Sequence, residues 1–192
     1  MFEDNDPDDM DLLQLLKSRE SDLAKKTLFD ESYSDILLIF DLDPHDSGFA
    51  PEKISRMAMY FVESSDVGKL YINYPMVEAF YHMTSIPDPN FDAYYATLNE
   101  LLAGPYKARV NQENRNHDYR KFAATKEECN TVIRQNISKA RRLAGGDSEA
   151  GLLPSQAEIL AAQLNSLQND RRIAVLSTCA FFIPEYNPKL IH

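Results

Sequence analysis

The chain has 192 residues, 44% hydrophobic and 26% charged, the balance of a globular protein with a core and a charged surface. Its formal net charge is −10, and no apolar stretch nears the roughly 20 residues of a membrane helix. The amino terminus is acidic where a secretory signal needs basic then apolar residues. Cys129 and Cys179 make neither a metal spacing nor a disulfide framework, so a cytoplasmic setting is expected.

The charge is unevenly spread. Residues 1–10 hold Glu3, Asp4, Asp6, Asp8 and Asp9 and no base. This acidic tail is expected to be disordered, with residues 11–192 forming a single α/β domain. Residues 105–142 run the other way, with ten Lys and Arg against four acids. Two readings apply to that segment. One is a solvated helix face. The other is a phosphate-facing surface built from Lys107, Arg109, Lys139, Arg141 and Arg142.

In chain order, residues 11–26 carry a weak helical pattern (Leu12, Leu13, Leu15, Leu16, Leu23), and residues 28–34 form a polar connection. Residues 36–46 then read ILLIFDLDPHD. Five apolar residues predict a strand buried on both faces, as in a parallel sheet. Asp41 and Asp43 follow two apart, which puts them on the same side of the strand's carboxyl end. Pro44 takes the chain out of the ladder, and Asp46 reads as a turn residue.

Pro51 sits where a helix would begin, and Ile54, Met57, Ala58, Phe61 and Val62 follow helical spacing, so residues 51–64 are predicted as an amphipathic helix. Residues 69–73 (KLYIN) read as a second strand, completing a βαβ unit with parallel strands within a core spanning residues 35–85. Pro75 opens a further predicted helix over residues 76–83, in which Glu78 and His82 share a face at i, i+4.

The remainder, residues 86–192, reads as mostly helical. Residues 91–102 are predicted as a helix stopped by Gly104-Pro105. Thr125-x-x-Glu128 and Ser155-x-x-Glu158 are capping boxes ahead of two more helices. Residues 173–183 fit either a last strand or a buried helix.

Carboxylates at the carboxyl edge of an α/β sheet are hard oxygen ligands. They suit Mg²⁺, which takes one or two carboxylates together with waters and phosphate oxygens. The competing reading of each Asp is a turn or helix cap. Glu78 sits among the apolar Met76, Val77, Phe80 and Tyr81, so it needs a partner. His82 is the structural candidate and a metal the functional one. His45 reads as a surface loop residue, with a general base or a metal contact as the functional alternatives. No glycine-rich phosphate loop is present.

FDLDPHD at Phe40–Asp46, followed by NYPMVEAFYHM at Asn73–Met83, resembles the Toprim-type domain of RloB-like proteins, related in fold to OLD-family nucleases and to topoisomerase–primase domains. The resemblance covers roughly residues 35–85. It implies a small, mainly parallel sheet flanked by helices. It also implies Mg²⁺ at Asp41 and Asp43 with Glu78 beside them as a third catalytic residue, and phosphodiester chemistry on nucleic acid in defence against phage or mobile elements. That family carries a glutamate, usually as Glu-Gly, after an earlier strand, and this chain has no Glu-Gly. Two alternatives stay open: a chain lacking its first strand, or a catalytically degenerate relative. Two further readings compete. One is a non-catalytic interaction domain acting in a homo-oligomer or a larger complex. The other is a phosphatase resembling the haloacid dehalogenases, with Asp41 as nucleophile and Asp43 as general acid.

Overall fold

The structure is a computed structural model that describes residues 12–65, 67–145 and 153–191. The acidic tail at residues 1–10 lies outside the described residues.

The expected βαβ unit forms at its centre. Strand β1 (Leu37–Asp41) pairs in parallel with β3 (Gly68–Tyr74), in a register running from Leu37 opposite Lys69 to Asp41 opposite Asn73. Helix α3 (Pro51–Tyr60) connects them, with Pro51 in its first turn. It sets Ile54, Met57 and Ala58 against the same core as Leu70 and Ile72. The helix stops four residues short of the predicted end, because Val62–Glu63 becomes a short strand, β2, antiparallel to the start of β3. A last short strand, β6 (Leu176–Ser177), runs antiparallel to the end of β3. The sheet is therefore mixed and not mainly parallel.

The order of the strands corrects the reading of residues 36–40 as a doubly buried strand. β3 has hydrogen-bonded neighbours on both sides, and Leu70 through Tyr74 are all 1% exposed or less. Among the described residues β1 has a neighbour on one side only, and Leu37, Ile39 and Phe40 are 37%, 54% and 43% exposed. Its outward edge can be traced residue by residue. Lys69 N–H donates to Ile36 O and Leu42 N–H donates to Asn73 O, both at 2.9 Å. Backbone groups alternate along a strand, so those of Leu37, Ile39 and Asp41 face away from β3.

The remainder is less helical than its periodicity suggests. Residues 91–102 are divided into a 3-10 turn (Phe91–Ala93), strand β4 (Tyr95–Thr97) and helix α4 (Leu98–Ala103). Thr97 and Glu100 form the capping box that starts α4, and Gly104 ends it at φ 84°. Helix α5 (Pro105–Glu113) follows at once. Residues 173–183 are neither one strand nor one helix. They split into β5 (Arg172–Ala174), which pairs antiparallel with β4, then β6, a 3-10 turn and the short helix α8 (Phe182–Tyr186).

Both remaining predicted helices form. In α6 (Lys126–Leu143), the Thr125 side chain accepts from Glu128 N–H; in α7 (Gln156–Asp170), Ser155 and Glu158 complete a reciprocal box. The weak pattern near the amino terminus resolves into α1 (Leu12–Arg19) and α2 (Leu23–Lys26). The buried Gln163 of α7 accepts from Ala174 N–H and donates to Ala174 O, both at 2.9 Å. Its side-chain amide satisfies a strand position as a neighbouring backbone would.

Candidate functional site

The carboxyl end of the main sheet carries one polar row across three strands. Asp41 on β1 stands opposite Asn73 on β3, which stands opposite Ser177 on β6. Asn73 Nδ2 donates to Asp41 Oδ1 at 3.1 Å, and Ser177 Oγ donates to Asn73 Oδ1 at 2.7 Å. Cys179 Sγ lies 2.9 Å from the same hydroxyl. Asn136 of α6 accepts from Ser177 N–H at 2.9 Å, which ties the row to the helical layer. Asn73 and Ser177 are buried, whereas Asp41 is exposed. The row therefore holds a surface carboxylate from beneath. Buried polar side chains persist only when hydrogen-bonded, and each of these has partners.

Asp43 lies just past the strand, where its Oδ1 accepts from His45 N–H at 2.9 Å. Asp46 accepts from Gly48 N–H at 2.7 Å, as expected of a turn residue. Asp41 and Asp43 both line a cleft of about 170 Å³, closed on its inner side by Ile54, Leu70 and Ile72. A second cleft of about 330 Å³ is lined by Asp43, His45, Met76, Tyr106 and Lys107, so Asp43 borders both. His45 is exposed.

Glu78 reaches this end from the other direction. The predicted helix over residues 76–83 is a 3-10 turn (Val77–Tyr81), and His82 has left helical geometry at φ −80°, ψ 68°. The i, i+4 face shared by Glu78 and His82 therefore does not exist, and the two residues find different partners. Glu78 Oε1 lies 2.9 Å from Lys107 Nζ, with side chains 5% and 68% exposed respectively. The hydrogen bond and charge of Glu78 hold the Lys107 ammonium pKa above its ordinary value, and the Asp41 carboxylate adds to the effect. Buried His82 contacts Tyr106 Oη at 3.1 Å through Nδ1 and Glu113 Oε2 at 2.9 Å through Nε2. Burial pushes its pKa down, against the pull of Glu113.

Burial removes Lys139 from the expected phosphate-facing surface. Lys139 is 2% exposed and donates to Phe91 O at 2.7 Å and Tyr94 O at 2.8 Å, with its ammonium 4.5 Å from the centre of the Phe91 ring. Enclosed in this way it cannot reach a phosphate, and burial lowers its pKa to about 7. Arg109 is engaged by Glu100 and by Tyr95 O, each at 2.8 Å. Arg142 pairs with Asp92 and Arg141 is half-buried. Of the five expected contacts, Lys107 is the one that the structure brings to the carboxylates.

Asn73 opens the NYPMVEAFYHM stretch on which the resemblance rests, whereas Ser177 and Asn136 join the row without having been singled out in the sequence. A signal existed for Ser177, since Ser177-Thr178 interrupts the apolar run of residues 173–183. Among the described residues, no group of three or more His, Cys, Asp or Glu side chains could hold a metal ion. Asp41 and Asp43 are nevertheless a donor set that suits Mg²⁺, which needs only one or two carboxylates with water completing its shell. No described helix is long and apolar enough to cross a membrane, and both cysteines are free thiols.

Compared with family models, curated proteins and solved structures, the chain has no match in any of the three.

Proposed function

We propose that this chain is a Toprim-like, Mg²⁺-dependent phosphodiesterase domain acting on nucleic acid, in the manner of RloB-like proteins in defence against phage or mobile elements. One observation carries the reading. Asp41 and Asp43 border one cleft at the carboxyl end of β1, and the Glu78–Lys107 pair approaches from beside it. Asp41 and Asp43 would hold Mg²⁺, which supplies Lewis-acid activation of a phosphodiester and of water. Asn73 fixes one oxygen of Asp41, leaving the carboxylate little freedom to turn away. Lys107 offers an ammonium to a phosphate oxygen, and Glu78 keeps that ammonium charged and in place. The free thiols fit a cytoplasmic protein.

The test is thermal melting with and without Mg²⁺ or Mn²⁺, followed by incubation with single- and double-stranded nucleic acid. The reading expects a metal-dependent rise in Tm that Asp41→Asn with Asp43→Asn abolishes. No rise in the parent protein removes the metal and the nuclease together. Turnover of a small phosphate ester, lost in Asp41→Asn, would point instead to the phosphatase chemistry.

The exposed apolar edge of β1 favours a second reading, a non-catalytic interaction domain within a larger assembly. It predicts no metal response and a partner-dependent change in the accessibility of Ile39.

A further inference from the structure

Among the described residues no strand lies on the outward side of β1, and the backbone N–H and C=O groups of Leu37, Ile39 and Asp41 point that way. An open edge is a template for another strand, and proteins usually blunt it with a lysine, a proline or a bulge. The five residues LLIFD carry neither residue, and their register with β3 is unbroken. Leu37 and Ile39 are exposed on one face of this edge and Phe40 on the other. Two hollows continue it. At the amino end, a groove of about 390 Å³ is walled by Leu28, Phe29 and Leu37, with Glu20, Asp35 and Lys25 as its charged lining. At the carboxyl end, the cleft bordered by Asp41, Asp43 and Asp46 has no basic lining residue. Five carboxylates therefore flank the edge against one ammonium.

That charge selects the occupant. A second copy pairing antiparallel about Ile39 would use all three outward residues of both chains. It would also bring Asp35 of one copy to the Asp41–Asp43 end of the other, twice over, between chains of net charge −10. Residues 1–10 of the chain itself hold five acids and no base, so the edge repels them as well. A strand ending in lysine or arginine meets carboxylates at both ends. We propose that the outward edge of β1 docks an extended segment of another protein, apolar at its centre and basic at both ends, which joins the sheet as a further strand. Main-chain bonds to Leu37, Ile39 and Asp41 would supply affinity, and the acidic flanks selectivity. The inference rests on the interaction reading of this edge and is independent of any metal ion.

Three acetylated, amidated nonapeptides test it on the full chain, in EDTA and at low ionic strength. They are KKVTVTVKK, its acidic counterpart EEVTVTVEE, and KKVTPTVKK, which keeps the charge but interrupts a strand. Fluorescence anisotropy is expected to show KKVTVTVKK binding about tenfold more tightly than either of the others, and about tenfold more weakly to Ile39→Lys, whose fold circular dichroism checks. Amide hydrogen exchange is expected to show new protection at Leu37, Ile39 and Asp41, while Leu38 and Phe40, which face β3, stay unchanged. Equal binding of KKVTVTVKK and KKVTPTVKK overturns the inference, because charge alone then explains the binding, and this comparison does not depend on any variant folding. No binding of KKVTVTVKK, or binding without new protection at the three amides, overturns it too. Acidic peptide bound as tightly, with those amides protected, overturns the basic partner but leaves the edge an interaction surface. So does a parent dimer in sedimentation equilibrium that Ile39→Lys dissociates, which assigns the edge to a second copy. Protection of the three amides in the free monomer assigns the edge to a segment of this chain and overturns both the inference and the interaction reading.

Discussion

Asn73 touches both ends of the polar row: its amide nitrogen donates to Asp41 at 3.1 Å and its amide oxygen accepts from Ser177 at 2.7 Å. An Asn73→Leu variant keeps the approximate volume and loses both bonds, leaving the buried Ser177 hydroxyl short of a partner. We expect it to fold with a Tm several degrees lower and to bind Mn²⁺ more weakly than the parent. Asn73→Asp retains an acceptor for Ser177 but sets a second carboxylate against Asp41, so it should lower Tm further at pH 8 than at pH 5. Melting curves at the two pH values check both.

Gln163→Ala removes a side chain that satisfies both backbone groups of Ala174 in a fully buried setting. Leaving two buried groups unpaired should cost about 2–4 kcal/mol in urea unfolding. Gln163→Glu keeps one acceptor and loses the donor, and is expected to be no less damaging.

Lys139 contributes a pH dependence whose sign can be worked out. Its folded pKa, pushed down to about 7 by burial, lies below the ordinary lysine value near 10.4. The stability it contributes is complete above the unfolded pKa and is lost as pH falls towards 7. The neutral amine still has two hydrogens for Phe91 O and Tyr94 O. Between pH 7 and pH 9, the Tm of the parent should therefore rise relative to that of Lys139→Met.

His82 behaves in the same sense at lower pH. Burial keeps its folded pKa below the ordinary value of 6.5, so its contribution is present above 6.5 and lost on acidification. A His82→Gln variant should show a shallower loss of Tm between pH 7 and pH 5 than the parent does.

Ile39→Lys tests the edge assigned to β1. A side chain 54% exposed on an edge strand can be made charged at a cost within about 0.5 kcal/mol, and the change should raise solubility. A strand buried on both faces would instead make the same substitution severely destabilising.

The βαβ core was legible because its signals are local. Pro51 and the spacing of Ile54, Met57 and Ala58 mark α3, and KLYIN marks β3. Which strand is central was not legible. Apolar length says that a strand is hydrophobic, whereas the neighbours that bury it come from residues 62–63 and 176–177. The same holds at the site. Asp41 is legible as the end of an apolar run, while Asp43 lies past the strand; Glu78 finds its partner 29 positions away on another helix, and spacing suggested His82 only on the assumption of an α-helical turn. The misread helix at residues 91–102 did carry a usable sign, since Thr97-x-x-Glu100 places a helix start at Leu98.

The hydrogen bonds that hold Asp41 run through Asn73 and Ser177 to Asn136 and Cys179, while the loop after β1 lends Asp46 to the lining of one cleft and His45 to that of the other. Aim and access are thus encoded in different parts of the chain. The loop could be rewritten to admit a different ligand without re-aiming the carboxylate. Conversely, a chemical label on the Cys179 thiol would perturb the carboxylate from the interior, with the loop left untouched.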